Sequence, residues 1–300
     1  MGPGAIFMPE FDTNILDLMR QRGALGQRIR TRLATGDPTR WLEVSAKAGG
    51  EFVDKRTIAG SVGSTTRVEK YTPLKALFSK ASFGLFDVEV NNQQGNFPNL
   101  VAGELQDRIE DILVMEDEKL WTGKVATAPL EYDGLLTLIT GSFAIAKGES
   151  IVDGIRTKVA SMVANKAYRI RPTAIYLDAI LLDLLEQEVK NAANTMKDVA
   201  AREVEVVPGL VVRGLSTAAG ILPLIPESYL EASVSGADTL YKCAIVTENL
   251  IEYHYVTTPK PRMFKLGLVE NLAGVYVVIK FGSPVVRGAG IAHSIGTVTR

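Results

Sequence analysis

The residues that could support catalysis are few, and the two histidines are the first to consider. His254 alternates with Tyr253 and Tyr255 in a predicted strand, while His293 follows much later. A Ser-His-Asp or Cys-His site needs a histidine held by a carboxylate beside a nucleophile, and the sequence has no G-x-S-x-G nucleophile elbow. A packed or surface histidine is therefore the favoured interpretation. With two histidines and one cysteine, the sequence also argues against a zinc site.

The single cysteine and the one Gly-Lys pair offer no stronger candidates. Cys243 lies in the apolar run 241–246, which favours a buried strand thiol over a reactive nucleophile. A lone cysteine excludes an internal disulfide and fits a reducing compartment. Gly123-Lys124 is followed by valine and lacks the upstream glycine of a P-loop. We predict that the protein is not an enzyme and holds no cofactor and no metal.

The acidic residues form a pattern of a different kind. General acid-base catalysis would need two carboxylates that converge in an apolar cleft. Glu110-Asp111 and Glu116-Asp117-Glu118 instead belong to a predicted long helix, where surface charge is the simpler interpretation. Seven acidic and three basic residues lie between 96 and 124, whereas eleven basic and five acidic residues lie between 20 and 70. This contrast predicts complementary surfaces on neighbouring subunits.

The composition limits the possible partners. The chain has 300 residues, 46% of them hydrophobic and 22% charged, with a formal net charge of −1. Proteins that bind nucleic acid over much of their surface usually carry a positive excess, so we expect any contact with DNA to be weak and local. No apolar run approaches the roughly 18 residues of a membrane span, and the first nine residues lack the features of a secretory signal. We expect synthesis in the cytoplasm and no membrane partner.

The elements that would position these residues begin with an arm and a hairpin. The pattern predicts a helix from about residue 12 that Gly23 and Gly26 interrupt, so that it frays into a basic arm. Residues 39–71 are poor in large apolar side chains and carry a run of small residues, which predicts a long β-hairpin. Such a hairpin buries little surface by itself and needs a partner.

The remaining elements predict a mixed fold. A strand at 79–90 precedes a helix that begins near Asn96 or Asn99 and ends at Gly123. In the middle third, Ser150 and Asp153 form a capping-box pattern. Pro172 precedes a buried strand there, and Pro223 and Pro226 indicate a loop. Strands dominate after about 249, and this order of elements predicts the α+β class.

This succession of features resembles the major capsid proteins of tailed bacteriophages, whose Hong Kong 97 fold is shared by encapsulin shells. The resemblance covers nearly the whole chain. It depends on the arm, on the hairpin at 41–71 (the E-loop of that family), on the strand at 83–90, and on a spine helix that ends Met115-Glu116-Asp117-Glu118-Lys119-Leu120-Trp121-Thr122-Gly123. Further similarities are the turn Tyr132-Asp133-Gly134-Leu135-Leu136, the strand 172–177, the segments 208–211 and 219–224, and the ending 276–290.

The resemblance implies a domain arrangement and a set of partners. The ranges are an N-terminal arm (1–38), an E-loop hairpin (39–78), a first part of the peripheral P-domain with the spine helix (79–130), an axial A-domain (131–244) and a second part of the P-domain (245–300). Identical subunits would form the hexamers and pentamers of an icosahedral phage head around double-stranded DNA, with a portal protein at one vertex. No charged helical scaffold segment of the kind found in the founding member is seen at the N-terminus, which implies either a separate scaffolding protein or a scaffold domain that has already been removed. A decoration protein is a further possible partner.

These considerations yield a set of predicted inter-subunit contacts. They combine basic residues of the arm and hairpin, apolar residues of the hairpin, and acidic residues of the long helix: Arg28, Arg30, Arg32, Trp41, Phe52, Arg56, Ile58, Asp107, Asp111, Glu116 and Glu118. Two alternatives stay open. An encapsulin-type nanocompartment shell would have the same fold, and a soluble enzyme of unknown class is the second alternative.

Overall fold

The computed structural model describes residues 22–56, 63–84, 86, 100–191, 202–208, 210–269 and 273–300. The helices are α1 (Ala24–Arg28), α2 (Leu100–Thr122), α3 (Leu135–Leu138), α4 (Ile151–Val163) and α5 (Ala179–Asn191), with a 3-10 turn at Glu248–Leu250. The strands are β1 (Arg30–Leu33), β2 (Thr39–Ala46), β3 (Thr66–Thr72), β4 (Lys75–Gly84), β5 (Ser142–Ile145), β6 (Ala174–Leu177), β7 (Arg202–Val207), β8 (Leu210–Thr217), β9 (Gly220–Pro226), β10 (Ser233–Ser235), β11 (Asp238–Val246), β12 (Ile251–Tyr255), β13 (Arg262–Val269), β14 (Ala273–Val286) and β15 (Ser294–Thr299).

The described chain divides into two compact units. The first contains residues 78–114 and 261–279, and in it β13 pairs antiparallel with the 273–279 part of β14. The second contains 22–77, 115–260 and 280–300. There β12 pairs with the 282–286 part of β14, and β1 adds to β12 in parallel. This mixture of segregated helices and largely antiparallel strands confirms the predicted α+β class.

A larger sheet in the second unit carries most of its core. Its strand order is β5-β15-β11-β6-β9-β8-β7, with β10 also paired to β11. β15 lies between β5, which is parallel to it, and β11, which is antiparallel. Helices α4 and α5 pack on this sheet and bury a cluster that includes Ile155, Val159, Leu181 and Leu185. The buried side chains recur at helical spacing, which gives each helix one apolar face.

Local signals in the sequence account for these elements. The predicted cap of α4 is confirmed, because the Asp153 amide donates to Ser150 Oγ at 3.1 Å. All four residues of β6 are buried, as expected for the strand after Pro172. Helix α2 ends at Thr122, where the close approach of Lys119 and Tyr132 carbonyls leaves no room for a side chain on Gly123.

Three predictions about individual elements are wrong. Gly26 lies inside α1 and does not break it. Pro223 and Pro226 both belong to β9 and not to a loop, with Pro223 opposite Gly214 of β8 and Pro226 opposite Leu177 of β6. The last strands of the sequence pattern, at 275–279 and 285–286, are parts of one continuous strand, β14. The predicted helix at 12–21 and most of the strand segment at 85–90 lie outside the described residues.

Candidate inter-subunit surfaces

The first candidate surface is the root of the arm, residues 22–33, and two of its arginines, Arg22 and Arg28, are bound within the subunit. Arg28 donates from Nε and Nη2 to the two carboxylate oxygens of Glu248, at 2.5 and 2.7 Å. Its Nη1 donates to the carbonyl of Val206 at 2.7 Å. The hydrogen bond to Glu248 raises the pKa of Arg28. Arg28 is therefore a structural residue of the isolated subunit, which was not expected from its place in a basic run.

Glu248 is the centre of a larger polar network. Its carboxylate also accepts from the Tyr176 hydroxyl at 2.6 Å and from Thr173 Oγ1 at 3.3 Å. The Glu248 amide in turn donates to Thr173 Oγ1 at 2.9 Å. Burial, followed by the neighbouring Glu248 charge, raises the pKa of Tyr176 well above its ordinary value. Because every lone-pair direction of the carboxylate has a donor, the buried charge is well satisfied.

A second buried carboxylate, that of Asp117, binds Arg22 and Gly23, the first described residues of the arm. Asp117 accepts from the Gly23 amide at 3.0 Å and from Arg22 Nε at 3.3 Å. A Cβ atom on Gly26 would lie 2.1 Å from Asp117 Oδ1, so glycine permits this close approach of α1. Burial raises the pKa of Asp117, and the charge of Arg22 partly offsets that rise.

Two more acidic residues lie near this contact. Glu116 is buried and forms an ion pair with Lys280, whose ammonium lies 4.8 Å from the centre of the Tyr253 ring. Glu227 is only 2% exposed, and burial raises its pKa to about 7. Its Oε2 would be 3.5 Å from a Cβ on Gly23. The expectation that Glu116 lies on a solvated acidic face is wrong, since its carboxylate is used inside the subunit.

The other charged residues of the predicted contact set remain accessible. Arg30 is exposed, and Arg32 reaches Glu252 only at 3.9 Å. On α2, Asp107 is exposed, while Asp111 pairs with Arg108 at 3.3 Å. Glu118 pairs with Lys119 at 3.1 Å and is partly exposed. Their contact with another subunit stays a prediction.

The second candidate surface is the hairpin formed by β2 and β3. The predicted pairing is confirmed, with Thr39 opposite Thr72 and Val44 opposite Arg67. Successive side chains of a strand point to opposite faces. Seven of eight β2 residues are exposed or half-buried, as are all residues of β3, so neither face is covered along its length.

Several large apolar residues of this hairpin are exposed. Phe52, a member of the predicted set beyond β2, is fully exposed, and Leu42 and Tyr71, which were not predicted, are 66% and 69% exposed. Trp41 is half-buried, and its Nε1 donates to Glu43 at 3.1 Å. Arg56 is exposed, and Ile58 lies outside the described residues. The hairpin therefore exposes several large apolar side chains, a feature common in protein interaction surfaces.

Glu43 makes one of the polar contacts between the hairpin base and the rest of the second unit. Glu43 accepts from Lys70 at 2.7 Å and from the Gly288 amide at 3.1 Å. Burial alone would raise the pKa of Glu43, but the hydrogen bonds from Lys70, Trp41 and Gly288 together lower it. Beside this contact lies an apolar pocket of about 560 Å³ between the hairpin, the segment 168–170 and the loop 287–292.

The residues that could have supported catalysis are in protected positions. His254 Nε2 lies 3.0 Å from Glu252, and Ser283 is opposite on β14. The Ser283 side chain has no exposed surface, and its hydroxyl is bonded to Thr72 at 3.0 Å. A substrate cannot reach a serine in this position, so the three residues do not form a hydrolase site.

The other two candidates, His293 and Cys243, are also buried. His293 Nδ1 accepts from the Thr247 amide and Nε2 lies 3.1 Å from the Arg287 carbonyl, while burial lowers its pKa to about 4. Burial raises the pKa of the Cys243 thiol to about 12. Within the described ranges, no three His, Cys, Asp or Glu side chains converge as a metal site would require. The described helices include none with the length and apolar character to cross a membrane.

Comparisons with known proteins identify the fold. No family model matches the chain, and no curated protein matches it in sequence. Among solved structures, the capsid of the Myoviridae phage XM1 is 11% identical, with a TM-score of 0.66, over 99% of this chain and 100% of that chain. The capsid of an empty GTA particle is 12% identical, with a TM-score of 0.64, over 98% and 94%.

A structure described as an encapsulin is equally similar. The holo-SrpI encapsulin complex from Synechococcus elongatus PCC 7942 is 12% identical, with a TM-score of 0.66, over 97% of this chain and 91% of that chain. The chain thus has the fold of phage capsid and encapsulin proteins over nearly its whole length, as the sequence features indicated.

Proposed function

We propose that this chain is the major capsid protein of a tailed bacteriophage, and that it assembles into the hexamers and pentamers of an icosahedral head around double-stranded DNA. Its role would be structural rather than enzymatic, and its location the virion. The observation that carries this proposal is the β2–β3 hairpin, which leaves apolar side chains open on both faces within a fold found in capsids. Repeated use of one such element fits a closed symmetric shell.

The energetics of the hairpin support an assembly role. An ordered two-stranded hairpin is marginal without a packing partner. Burial of an aromatic or aliphatic side chain contributes roughly 1.5–3 kcal/mol, so covering Trp41, Leu42 and Phe52 by a neighbour would offset the entropy lost when the hairpin becomes ordered. The exposed Arg30 and Arg32, with the acidic residues of α2, would add complementary charge between subunits.

The charge balance supports a limited role in DNA contact. With a net charge of −1, the inner face of such a shell would contact DNA only weakly and without sequence preference. A separate scaffolding protein, a portal protein and a decoration protein remain predicted partners of this assembly.

An encapsulin-type shell is the second candidate, favoured by the likeness to the holo-SrpI encapsulin complex. Electron microscopy of the expressed chain, with and without a candidate scaffold, tests both shell functions. Icosahedral particles are the expected result, and a persistent monomer under every condition would contradict them.

The content of purified particles separates the two candidates. Nuclease-resistant double-stranded DNA, measured by absorbance and by mass, is expected for a phage head. Particles that contain no nucleic acid but retain a bound protein cargo would overturn the phage assignment in favour of the compartment.

A further inference from the structure

We infer that Glu227 and Asp117 form a proton-dependent latch on the root of the arm, which is closed while Glu227 carries a proton and is loosened once both carboxyl groups are ionised. The latch would hold Gly23 against the C-terminal part of α2. It goes beyond the proposed shell function and does not depend on it, because all of its groups belong to one subunit. Its role would be to set how firmly the subunit holds the segment that joins residues 1–21 to it.

The two carboxyl groups border the same point of the arm. The Gly23 amide donates to Asp117 Oδ2 at 3.0 Å. A Cβ atom on Gly23 would lie 3.6 Å from Asp117 Cγ and 3.5 Å from Glu227 Oε2. Both carboxyl groups therefore face one backbone position, and they are close enough for their charges to interact.

The two carboxyl groups have unequal partners. The cations Arg22 and Lys280 pair with Asp117 and Glu116. Glu227 is only 2% exposed, and among the described residues its Oε2 has no hydrogen-bond partner. An ionised carboxylate in such a position is far less stable than the neutral acid, because bulk water does not reach the charge. Glu227 is therefore the member of this pair that carries a proton.

The surroundings of Glu227 place its titration near neutral pH. Burial and, to a smaller extent, the charge of Asp117 raise the pKa of Glu227 to about 7. The Trp121 indole and the amides of Ser228 and Tyr229 oppose this rise only in part. The pair therefore changes its charge within the pH range of living cells.

The other titratable groups around Glu227 keep their charge states over this range. Burial, followed by the charges of Asp117 and Glu227, raises the pKa of the Tyr229 phenol. Burial also raises the pKa of Tyr176 on β6, so both phenols are neutral below about pH 9. Arg22 stays charged, but it is already bonded to Asp117. Glu227 is therefore the group whose charge changes.

Loss of the proton would place two negative charges beside Gly23. Like charges in a poorly solvated place repel each other, and the repulsion is relieved when the chain at Gly23 moves away and water reaches Glu227. Leu25 is buried and Arg28 is held by Glu248, so the motion is limited to the beginning of the root. The result is a local opening of the arm, distinct from unfolding of the subunit.

Hydrogen exchange of the Gly23 amide tests the latch, because this amide donates to Asp117 in the closed form. Exchange is measured by mass spectrometry of short overlapping peptides from the full chain at pH 6 and at pH 8, with correction for the intrinsic effect of pH on exchange. Because opening returns the pKa of Glu227 from about 7 to 4.5, we expect protection of Gly23 to fall about tenfold between the two pH values. Protection that does not fall would overturn the inference.

Two glutamine variants provide the matched comparison. Glu227→Gln removes the titrating group and keeps its shape, so protection of Gly23 should change by less than about twofold over the same range. Glu231→Gln removes one exposed charge on the same segment and should behave like the unchanged chain. A full tenfold fall in Glu227→Gln, or loss of the fall in Glu231→Gln, would contradict the role of Glu227.

Asp117→Asn tests whether the two carboxyl groups are coupled. The variant keeps an oxygen that can accept from the Gly23 amide and removes the like charge, which should lower the pKa of Glu227. The fall in protection between pH 6 and pH 8 should therefore shrink from about tenfold to about twofold. A purely structural role of Asp117 would instead lower protection by the same factor at both pH values, and that result would overturn the coupled pair.

The exchange of α4 separates a local latch from global unfolding. The side chains of α4 belong to the core of the large sheet, so its amides report openings of the whole unit. Gly23 should exchange faster than these amides at both pH values, because local openings cost less than global unfolding. Equal protection of Gly23 and α4 would mean that only global unfolding exposes the root, which would overturn the latch.

Discussion

The root of the arm and the β2–β3 hairpin look alike in sequence and differ in structure. Both are basic segments with few large apolar residues. In the folded subunit, Arg28 is held by Glu248 and the arm's first described residues by Asp117. The hairpin bonds to the rest of the second unit at its base, through Glu43, Ser45 and Thr72. Sequence composition alone does not distinguish a basic segment that is bound within the subunit from one whose side chains stay exposed.

The arm root and the hairpin differ in whether their charged side chains have buried partners within the subunit. Removing one member of a buried ion pair leaves the other charge unpaired in a poorly solvated place, which is costly. An exposed charge loses little because water replaces its partner. The two regions should therefore respond very differently to substitutions of similar chemistry, and the following predictions are ordered by the size of that response.

The largest effect is expected at Arg28. Arg28→Glu would place a second carboxylate beside Glu248 and remove the donor to the Val206 carbonyl. The loss of one partner of a buried pair typically costs about 3–5 kcal/mol, and we expect a decrease of that order in the free energy of unfolding measured by urea denaturation. Arg30→Glu is the control, since Arg30 is exposed, and it should change stability by less than about 0.5 kcal/mol. Equal effects in the two variants would contradict a structural role that Arg28 has and Arg30 lacks.

This comparison also changes the design of an assembly test. Reversing Arg28, Arg30 and Arg32 together would confuse unfolding with loss of assembly, because Arg28 is structural. Reversal of Arg30 and Arg32 alone should leave the subunit folded by circular dichroism and impair particle formation. Normal particles from that double variant would show that these arginines are not assembly contacts.

Glu227, which lies beside the arm root, should contribute to the pH dependence of stability. Burial raises the pKa of Glu227 from 4.5 to about 7, so this residue binds more protons in the folded state between these values. Its contribution to stability is complete below pH 4.5 and is lost as pH rises towards 7, a decrease of about 2–3 kcal/mol. Burial lowers the pKa of His293 from 6.5 to about 4, which gives a contribution of opposite sign over the same range. In urea titrations at several pH values, stability should therefore rise more steeply with pH in Glu227→Gln than in the unchanged chain.

The hairpin provides a control of opposite sign. The pKa of Glu43 is lowered in the folded state, so its contribution is present at neutral pH and is lost as pH falls through the acidic range. Glu43→Gln should therefore leave the slope between pH 5 and 7 unchanged. An unchanged slope in Glu227→Gln together with a changed slope in Glu43→Gln would reverse the roles of the two residues.

Two helical glycines should respond to alanine in opposite directions. In an ordinary helix, Gly→Ala stabilises by about 1 kcal/mol. Gly103 of α2 has open space around it, so Gly103→Ala should stabilise by roughly that amount. Gly26→Ala should instead destabilise by about 1–2 kcal/mol, because the new methyl group would displace the Asp117 carboxylate from Gly23 and Arg22. Thermal unfolding of both variants shows whether each is more or less stable than the unchanged chain.

The smallest change in subunit stability is expected for substitution of Phe52, which lies beyond β2. Phe52→Ala should change the free energy of unfolding by less than about 0.5 kcal/mol, since the side chain is fully exposed. A large loss of subunit stability, measured on unassembled protein, would show that the Phe52 side chain is already packed within its own chain.

The elements that could be predicted are those with strong local signals. The capping bond from Asp153 to Ser150, the buried strand after Pro172 and the hairpin pairing all follow from short sequence patterns, and the structure confirms them. Cys243 is buried in its strand as its apolar neighbours indicated.

The residues that could not be predicted depend on partners distant in sequence. The burial of Glu116 and Asp117 is decided by Lys280 and Arg22, far from them along the chain. Glu248 and Glu227 resemble ordinary surface acids in the sequence, because nothing local indicates Arg28 or Gly23 as neighbours. A weak signal existed for Gly26, since a glycine retained inside a short helix often marks a close approach of two backbones or side chains.

The position of β15 between β5 and β11 has a consequence for synthesis. Strand β5 cannot join the rest of the large sheet until residues 294–299 have been made, although it is itself made about 150 residues earlier. Such non-local pairing slows folding, so the edge of this sheet closes only after its last strand has left the ribosome.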